Sequence, residues 1–333
     1  MKVLVTGGGG FLGQYVVRAF LNRGDSVRVF SRGAYPELEE LGVECVRGDL
    51  VEPDAVSRAV EGMDSVHHVA AQPGVWGPKS MYWPPNVVGT ENVISACKEH
   101  RVKRLVFTSS PSVVFGDEPH DGADESLTYP AKYLCHYPES KAKAEQLVLA
   151  AHQPGVLHTV SLRPHLIWGP GDRHLIPRVI DMAQKRKLMR VGDGQNKVSV
   201  VYVENAAQAQ VAADDAIEAK DCVAGGKSYF IAQEEPVLLW DFIQKILDGV
   251  GVPGPKRSIS YAAARRAGTV LEIIHRGLFL PGEPRMTRFV AAQLGTSHWY
   301  RIDLARKELG YDPKISTEEG LKRLIAELLD TKI

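Results

Sequence analysis

The chain has 333 residues, of which 44% are hydrophobic and 24% are charged. This composition is typical of a globular protein with an ample core, and the length suits one large domain or two smaller ones. Lys and Arg number 40, as do Asp and Glu. The formal net charge of zero therefore gives no electrostatic reason to expect binding to nucleic acid or to an acidic membrane surface.

Signals for export, membrane insertion and metal binding are missing from the sequence. The N-terminus reads MKVLVTG, which is typical of a strand and not of a secretory signal. No uncharged apolar run reaches the length of about 18 residues that a spanning helix needs. The four cysteines form no CxxC pair, so neither a disulfide framework nor a metal site is expected. A cytoplasmic protein is the resulting expectation.

The first half of the chain alternates between two hydrophobic periods. Valine-rich runs of strand length occur at KVLVT, SVRVFS, VECVRGD, SVHHVAA, RLVFTSS and HTVSLRP. The intervening segments predict helices over Phe11–Arg23, Pro53–Glu61, Asn86–His100 and Pro138–His152. This alternation predicts an α/β fold of the Rossmann type, with a doubly wound parallel sheet whose strands are buried on both faces.

After Arg163 the rhythm loosens, beginning with the turn cluster WGPGD. The later patterns predict helices at Leu175–Arg186, Val203–Ala216 and Leu238–Val250, strands at Ser199–Tyr202 and Lys227–Ala232, and a mainly helical chain from Pro253 onward. We therefore expect a Rossmann domain over 1–163, which the glycine-rich turn described next makes the NAD(P)-binding domain. A smaller, mostly helical substrate domain over 164–333 follows it, and some of its segments are expected to return to the Rossmann sheet.

A glycine-rich turn, TGGGGFLG over Thr6–Gly13, joins the first strand to the first helix. Gly7 permits the tight turn, Gly10 lets the backbone approach a pyrophosphate, and Gly13 lets the helix pack closely on the sheet. The helix N-terminus offers free N–H groups and a partial positive charge to phosphates. This context predicts a dinucleotide site. The first helical turn adds Phe11 and Leu12 to it.

The end of the second strand decides which nicotinamide cofactor is favoured. An acidic residue there would hold the ribose 2′-hydroxyl of NAD, but the chain has Ser31 and Arg32. A guanidinium and a hydroxyl suit a 2′-phosphate, so we predict NADP, with NAD as the alternative. Asp49, followed by Leu50, ends the third strand. Asp49 either accepts a hydrogen bond from the adenine amino group or caps a turn.

The segment Tyr137-Pro138-Glu139-Ser140-Lys141 is a YxxxK motif at the start of a predicted helix. Tyr137 and Lys141 are four residues apart and therefore share a helix face. A tyrosine with an ordinary pKa is a poor base at neutral pH, and a nearby ammonium group lowers that pKa. The pair predicts proton transfer by Tyr137, with Lys141 also holding the nicotinamide ribose.

A third catalytic group is expected at the carboxyl end of the fifth strand, where ligands bind in such sheets. The sequence RLVFTSSPSVVFG supplies several hydroxyl groups there. We select Ser110, with Ser112 as the alternative.

Several motifs occur in a fixed order along nearly the whole chain: TGGGGFLG, HVAA, NVVGTENV, TSSPSVVFG, HYPESK, LRPHLIWGPGD, VYVEN and TSHWYRIDLARKELGYDP. This set resembles the extended short-chain dehydrogenases/reductases. Within them it is most similar to the 3β-hydroxysteroid dehydrogenase and sterol-4-carboxylate 3-dehydrogenase branch, which includes bacterial reductases of 2-alkyl-3-oxoalkanoic acids.

The resemblance implies an oxidoreductase that interconverts a secondary alcohol and a ketone on a lipophilic substrate. It assigns the reaction to Ser110, Tyr137 and Lys141, and it places Pro164 and Ile167 beside the nicotinamide. It further implies that Ala70, Ala71 and Gln72 lie near the cofactor ribose, and that two of the helices pair across a homodimer. A sugar-nucleotide epimerase or dehydratase and a non-catalytic NAD(P)-sensing protein are the alternatives.

The segment Thr269–Leu280 carries an apolar helical face. Core packing is the favoured interpretation. The alternative is an apolar lid or a peripheral membrane contact for a lipophilic substrate. Arg173, Arg285 and Arg288 are candidate partners for a substrate carboxylate.

Overall fold

The structure is a computed structural model that describes residues 1–218 and 222–330. Its strands are β1 (Lys2–Thr6), β2 (Ser26–Ser31), β3 (Glu44–Arg47), β4 (Ser65–His68), β5 (Arg104–Thr108), β6 (His120–Ala123), β7 (His158–Pro164), β8 (Ile167–Trp168), β9 (Arg190–Val191), β10 (Lys197–Val198), β11 (Val201–Tyr202), β12 (Lys227–Ile231), β13 (Val237–Leu238), β14 (Ser258–Ile259) and β15 (His298–Tyr300).

Its α-helices are α1 (Phe11–Arg23), α2 (Pro36–Glu39), α3 (Pro53–Val60), α4 (Lys79–Trp83), α5 (Gly89–Glu99), α6 (His136–Ala150), α7 (Leu175–Gln184), α8 (Val203–Glu218), α9 (Leu239–Gly249), α10 (Tyr261–Gly277), α11 (Arg288–Gly295), α12 (Asp303–Leu309) and α13 (Thr317–Asp330). A π-helical segment covers Pro84–Val88, and a short 3₁₀ turn covers Pro111–Val113.

The main sheet is seven-stranded, in the order β12-β7-β5-β4-β1-β2-β3, and each neighbouring pair in it is parallel. Its first six strands from the β3 edge follow the order of a doubly wound dinucleotide-binding sheet. The predicted fold class is therefore confirmed. Strand β1 shows how the sheet is packed. Val3 and Val5 face the core beneath α1 and α8, whereas Leu4 faces the core beneath α3, α5 and α6.

Two features cross the predicted division at residue 163. Strand β12 pairs with β7 and so adds the seventh strand to the Rossmann sheet, while α8 packs beside α1 on one face of that sheet. In the opposite direction, β6 leaves the first half to join a four-stranded sheet of order β13-β10-β15-β6. The division at 163 remains a prediction, and the two halves exchange structural elements.

The predicted helix Asn86–His100 starts differently from its expected form. The prolines Pro84 and Pro85 open a π-helical segment, in which the N–H of Gly89 reaches back to the carbonyl of Pro84. Regular α-helix begins only at Gly89. Insertions of this kind occur frequently near functional sites, and this one places Asn86 in the interior next to α6.

The expectation that the apolar face of Thr269–Leu280 packs in the core is wrong. Along α10, the buried face carries Gly268 and Glu272, and the apolar residues point outward. A side chain at Gly268 would lie 2.7 Å from the backbone of Thr287, so the two segments are in close contact. Glu272 accepts hydrogen bonds from the backbone and the guanidinium of Arg288. These contacts hold the polar side of the helix against the protein.

Candidate functional site

The glycine-rich turn has the geometry that a dinucleotide requires. Gly7 has a φ of 70°, and a Cβ there would lie 2.8 Å from the backbone of Ala70. A Cβ at Gly13 would lie 2.1 Å from the carbonyl oxygen of Gly7. Helix α1 begins after Gly10 without a side-chain cap and without an acidic residue in its first turn. Its N-terminal N–H groups therefore remain available to a phosphate.

The neighbouring residues of the turn differ in what they expose. Phe11 is partly exposed, whereas Leu12 is buried in the core, so only the backbone of Leu12 is placed to meet a ligand. Sequence reasoning missed Tyr35. A Cβ on Gly9 would lie 2.0 Å from the Tyr35 ring, which therefore covers the outer side of the turn. Its position just before Pro36 in a loop gave no periodic signal.

Two arginines lie where β2 and β3 end: Arg32 directly follows β2, and Arg47 is the last residue of β3. Ser31 lies opposite Arg47 in the β2–β3 register, and the Arg47 Nε donates to the Arg32 carbonyl oxygen at 3.4 Å. Both guanidinium groups are exposed, and neither forms an ion pair among the residues that the structure describes. Arg47 was missed by the sequence analysis. Two unpaired cations beside a hydroxyl form a suitable place for an anionic group.

The predicted adenine contact at Asp49 serves a local purpose in the structure. Its carboxylate accepts a hydrogen bond from the backbone N–H of Val51 at 3.1 Å, which is the turn cap considered as the alternative. Leu50 is buried against Gly89, where a Cβ would lie 2.8 Å from the Leu50 Cβ. Leu50 thus fixes α5 beside the end of β3.

The segment after β4 approaches the glycine turn from the other side. The N–H of Ala70 donates to the Thr6 hydroxyl at 3.3 Å, and the N–H of Gln72 donates to the Asn86 side chain at 2.7 Å. Ala70 is partly exposed and Ala71 is exposed at this edge of the sheet. The backbone of Ala70 packs directly against Gly7, so this segment and the glycine turn are in close contact.

The YxxxK pair lies at the start of α6, close to the carboxyl end of β5. The buried Lys141 donates from Nζ to the carbonyl oxygen of Thr108 at 2.7 Å. The hydroxyl of Ser110 lies close enough to the Tyr137 phenol to lower its pKa. Ser112 lies behind Ser110 and donates to its Oγ from the backbone N–H at 3.2 Å and from its own hydroxyl at 2.9 Å. Of the two candidate serines, Ser110 is the one beside Tyr137.

Burial is the largest influence on the pKa values of Tyr137 and Lys141. It raises the pKa of Tyr137 to about 12, against a smaller lowering by the hydrogen bond from Ser110. Burial also lowers the pKa of Lys141 to about 7, although the charge of Glu145 opposes the shift. The sequence argument expected a lowered pKa for Tyr137. The side chains of the protein produce the opposite shift, which keeps the phenol protonated at neutral pH.

Pro164 and Ile167 follow the same edge of the sheet. Pro164 ends β7, and Ile167 opens β8 after Leu166, whose φ of 41° is unusual for a residue with a side chain. Ile167 is partly exposed, and its neighbour Trp168 is fully buried in the core. The chain thus turns sharply where the nicotinamide is expected.

An aromatic wall adjoins Tyr137. The rings of Tyr82 and Tyr137 are 6.3 Å apart, and the Tyr82 hydroxyl donates to the carbonyl oxygen of Trp76 at 2.6 Å. Trp76 in turn contacts α10, with the Arg276 guanidinium 5.2 Å from its ring. Of the arginines proposed for a substrate carboxylate, Arg288 is held by Glu272 instead, whereas Arg173 and Arg285 are exposed.

The part of the chain that the structure describes contains neither a candidate metal cluster nor a candidate membrane-spanning helix. Within 1–218 and 222–330, no three or more His, Cys, Asp or Glu side chains cluster in a way that would hold a metal ion. In the same ranges no helix combines the length and the apolar character needed to cross a membrane.

Comparison with known proteins identifies the relatives of this chain. The model of the 3-beta hydroxysteroid dehydrogenase/isomerase family matches residues 4–261. A protein named 2-alkyl-3-oxoalkanoate reductase from Stenotrophomonas maltophilia is 47% identical, over 98% of this chain and 99% of its own length. The sterol-4-alpha-carboxylate 3-dehydrogenase (decarboxylating) of Mus musculus is 34% identical, over 97% and 90%. The crystal structure of gox2253 superposes with a TM-score of 0.79 at 27% identity, covering 99% of this chain and 98% of that one.

The chain belongs to the 3-beta hydroxysteroid dehydrogenase/isomerase family. It is accordingly an oxidoreductase of the extended short-chain dehydrogenase type, with a Rossmann fold for NAD(P). The epimerase alternative has less support, since both of these relatives are named as oxidoreductases.

Proposed function

We propose that this family member reduces a 2-alkyl-3-oxoalkanoic acid, or oxidises the matching 3-hydroxy acid, with NADP as cofactor. The observation that carries the reaction type is the grouping of Tyr137 with the buried Lys141 on α6 and with the hydroxyl of Ser110, which acts on the Tyr137 phenol. The substrate class rests on the 47% identity to a reductase of that name, which exceeds the 34% identity to the sterol dehydrogenase.

Each residue of the group has a distinct role in this proposal. The nicotinamide, when bound, supplies or accepts the hydride. Tyr137 donates its phenolic proton to the ketone oxygen during reduction and takes the proton back from the alcohol during oxidation. Because the pKa of Tyr137 is raised to about 12, the phenol is protonated at neutral pH, which favours the reducing direction.

Ser110 acts on the substrate oxygen, and Lys141 acts on the nicotinamide ribose and on Tyr137. Ser110 Oγ accepts two hydrogen bonds from Ser112, so its own hydrogen remains to interact with Tyr137 and, once substrate binds, to point at the substrate oxygen and stabilise charge there. One N–H of Lys141 is held by Thr108. Its remaining N–H groups are available for the ribose hydroxyls and for Tyr137.

The preference for NADP is supported by Arg32 and Arg47, which form no ion pair within the described ranges and flank Ser31. The fit of the site to a dinucleotide is supported by the tight turn at Gly7 and Gly13, where a Cβ would clash with the neighbouring backbone, and by the uncapped N-terminus of α1. NAD would gain nothing from two guanidinium groups at its 2′-hydroxyl.

The deciding experiment is a fluorescence titration with NADPH and NADH, followed by turnover of long-chain 2-alkyl-3-oxo and 3-hydroxy acids and of 3β-hydroxysteroids. Tighter binding of NADPH together with turnover of the alkyl acids is the expected result. NADH preference with turnover of sterols alone would instead place the chain with the sterol dehydrogenases and contradict both parts of the proposal.

A homodimer and a cytoplasmic location belong to the same proposal. Helices α5 and α6 lie side by side and expose polar residues such as Ser95 and Gln146, which suits helix contact across a dimer axis. The four cysteines are free, as in proteins of a reducing compartment. Light scattering should show a dimer that Gln146→Arg weakens, whereas the exposed Gln184→Arg leaves the mass unchanged.

We also propose a peripheral membrane contact through the outer face of α10 and the loop that follows it. Among the residues that the structure describes, six of the twelve exposed large hydrophobic residues lie between 270 and 280, and Phe279 is 91% exposed. Arg266 is on the same helical face, and Arg276 and Arg285 lie nearby along the chain, all exposed and without a carboxylate partner in the described ranges. An apolar face flanked by cations suits an anionic lipid surface.

Vesicle flotation tests this contact. Mixed phosphatidylcholine–phosphatidylglycerol vesicles should bind the protein more strongly than phosphatidylcholine alone, and Phe279→Ser should weaken binding by about tenfold. Leu41→Ser, which removes an exposed apolar side chain elsewhere on the protein, serves as the control. Equal flotation of both variants, or none with either vesicle, would exclude the contact.

A further inference from the structure

A continuous chain of buried hydrogen bonds crosses the molecule from the glycine turn to the catalytic helix. It begins at Thr6, the last residue of β1, whose hydroxyl is 2.7 Å from His68 Nδ1. The other ring nitrogen of His68, Nε2, is 3.0 Å from the hydroxyl of Thr90. Thr90 then donates to the carbonyl oxygen of Asn86 at 2.7 Å.

The chain continues from Asn86 into α6. The Asn86 Nδ2 donates to the Ser140 hydroxyl at 2.9 Å and to the carbonyl oxygen of Gln72 at 3.1 Å. The Ser140 hydroxyl donates to the carbonyl oxygen of Tyr137 at 2.7 Å. The side-chain amide of Asn86 is thus linked directly to Gln72, in the segment next to the glycine turn, and through Ser140 to the backbone of Tyr137.

The direction of each bond follows from its partners. Thr90 gives its only proton to Asn86, so the Thr90 oxygen must accept from His68 Nε2. His68 Nδ1 then has no proton and accepts from the Thr6 hydroxyl. This order requires a neutral ring, and burial with the nearby charge of Lys141 lowers the pKa of His68 to about 3.

The position of these groups argues for more than packing. Thr6, His68, Thr90, Asn86 and Ser140 are all 2% exposed or less, although apolar residues surround them on the same strands and helices. Buried polar side chains of this kind are costly unless each one is satisfied, and a satisfied network fixes one arrangement. Here the fixed arrangement joins the glycine turn, at one end of the site, to Tyr137 at the other.

We infer that His68 and Thr90 are positioning residues that keep the glycine turn and Tyr137 in a fixed position relative to each other. Breaking the chain between them releases the Gln72 segment and the first turn of α6 from β1, while the glycine turn itself keeps its shape. The inference rests on the proposed role of Tyr137, and its test separates the two because it measures binding as well as turnover.

The test compares Thr90→Val with Thr159→Val. Thr159 is also fully buried and also donates to a backbone carbonyl, that of Val148 at 2.8 Å, but it lies away from the site. Both variants should lower the melting temperature similarly. Only Thr90→Val should lower kcat, by about tenfold to a hundredfold, as expected for a small misplacement of reacting groups.

Binding and rescue complete the test. In Thr90→Val, the adenine half of the cofactor, measured with 2′,5′-ADP, should bind within about twofold of the wild-type protein, since it contacts only the glycine turn and the β2 end. Thr90→Ser restores the hydroxyl and should restore kcat. If Thr90→Val does not fold, His68→Gln replaces it, and its melting temperature, kcat and affinity for 2′,5′-ADP are measured in the same way. A kcat that falls equally in Thr159→Val, or a failure of Thr90→Ser to recover, overturns the inference. Inactivity of the wild-type protein on the acids would instead contradict the proposed function.

Discussion

Ser31 and Arg47 are direct neighbours across the parallel strands β2 and β3, although they are far apart in sequence. Their register brings a second guanidinium to the point where Arg32 leaves the sheet, so a 2′-phosphate would meet two cations and a hydroxyl. This relationship converts the predicted cofactor preference into a measurable one.

Arg47→Gln is expected to weaken NADPH binding by about tenfold or more, because a charge-assisted hydrogen bond is worth about 1.5–3 kcal/mol. NADH binding should change little, since it presents only a hydroxyl there. Isothermal titration with both cofactors measures the difference, and the exposed Arg58→Gln on α3 is the matched control. An equal loss for both cofactors would contradict a role in recognising the 2′-phosphate.

Tyr137→Phe should reduce kcat by about a thousandfold while leaving cofactor affinity nearly unchanged, because it removes the proton donor and keeps the ring. Steady-state rates and a cofactor titration check the two parts. Tyr133→Phe is the control. Its hydroxyl donates to the carbonyl oxygen of Val113 at 2.9 Å and takes no part in the proposed reaction. A Tyr137→Phe variant that stays active would refute the mechanism.

The buried Lys141 predicts a pH dependence of stability. Its pKa is about 7 in the folded protein, against an ordinary value of 10.5 for lysine, so between these values the unfolded chain binds more protons. The free energy of unfolding should therefore rise with pH in that window. Urea unfolding at several pH values should show this slope, and Lys141→Met should reduce it. Lys143→Met on the exposed side of α6 should not; identical slopes in both variants would count against the assignment.

Glu145 and Arg163 form an ion pair that is almost entirely buried, with contacts of 2.6, 3.0 and 3.2 Å. Glu145→Gln leaves the guanidinium charge buried without its counter-charge, and we expect a loss of about 3–5 kcal/mol of folding free energy. Denaturant titration measures it. Glu318→Gln removes one member of an exposed pair with Lys322 and should cost less than about 1 kcal/mol. Similar losses in the two variants would be inconsistent with this account.

The sequence was sufficient for the elements whose signals are local. Helix α1 was placed at its observed bounds, Phe11–Arg23, because the glycine turn before it and Gly24 after it mark both ends. Tyr137 and Lys141 were found because a fixed spacing on a helix determines their common face.

Features that depend on distant partners were beyond such reasoning. The periodicity of α10 revealed an apolar stripe but not its direction. That direction is set by the close approach of Gly268 to Thr287 and by the pairing of Glu272 with Arg288. Arg47 was overlooked for the same reason, because only the β2–β3 register brings it to Ser31. Burial raises the pKa of Tyr137 in the protein alone, and this burial could not be read from the residues next to it in sequence.

The return of β12 to the first sheet has a consequence for biosynthesis. The edge of β7 that β12 covers stays open until residue 231 has left the ribosome, by which time more than two thirds of the 333 residues have been made. An exposed parallel edge is a template for unwanted pairing. The nascent nucleotide-binding half therefore cannot complete its sheet until β12, a distant part of the chain, has been made. Fragments that end near 163 should accumulate as aggregates in expression trials.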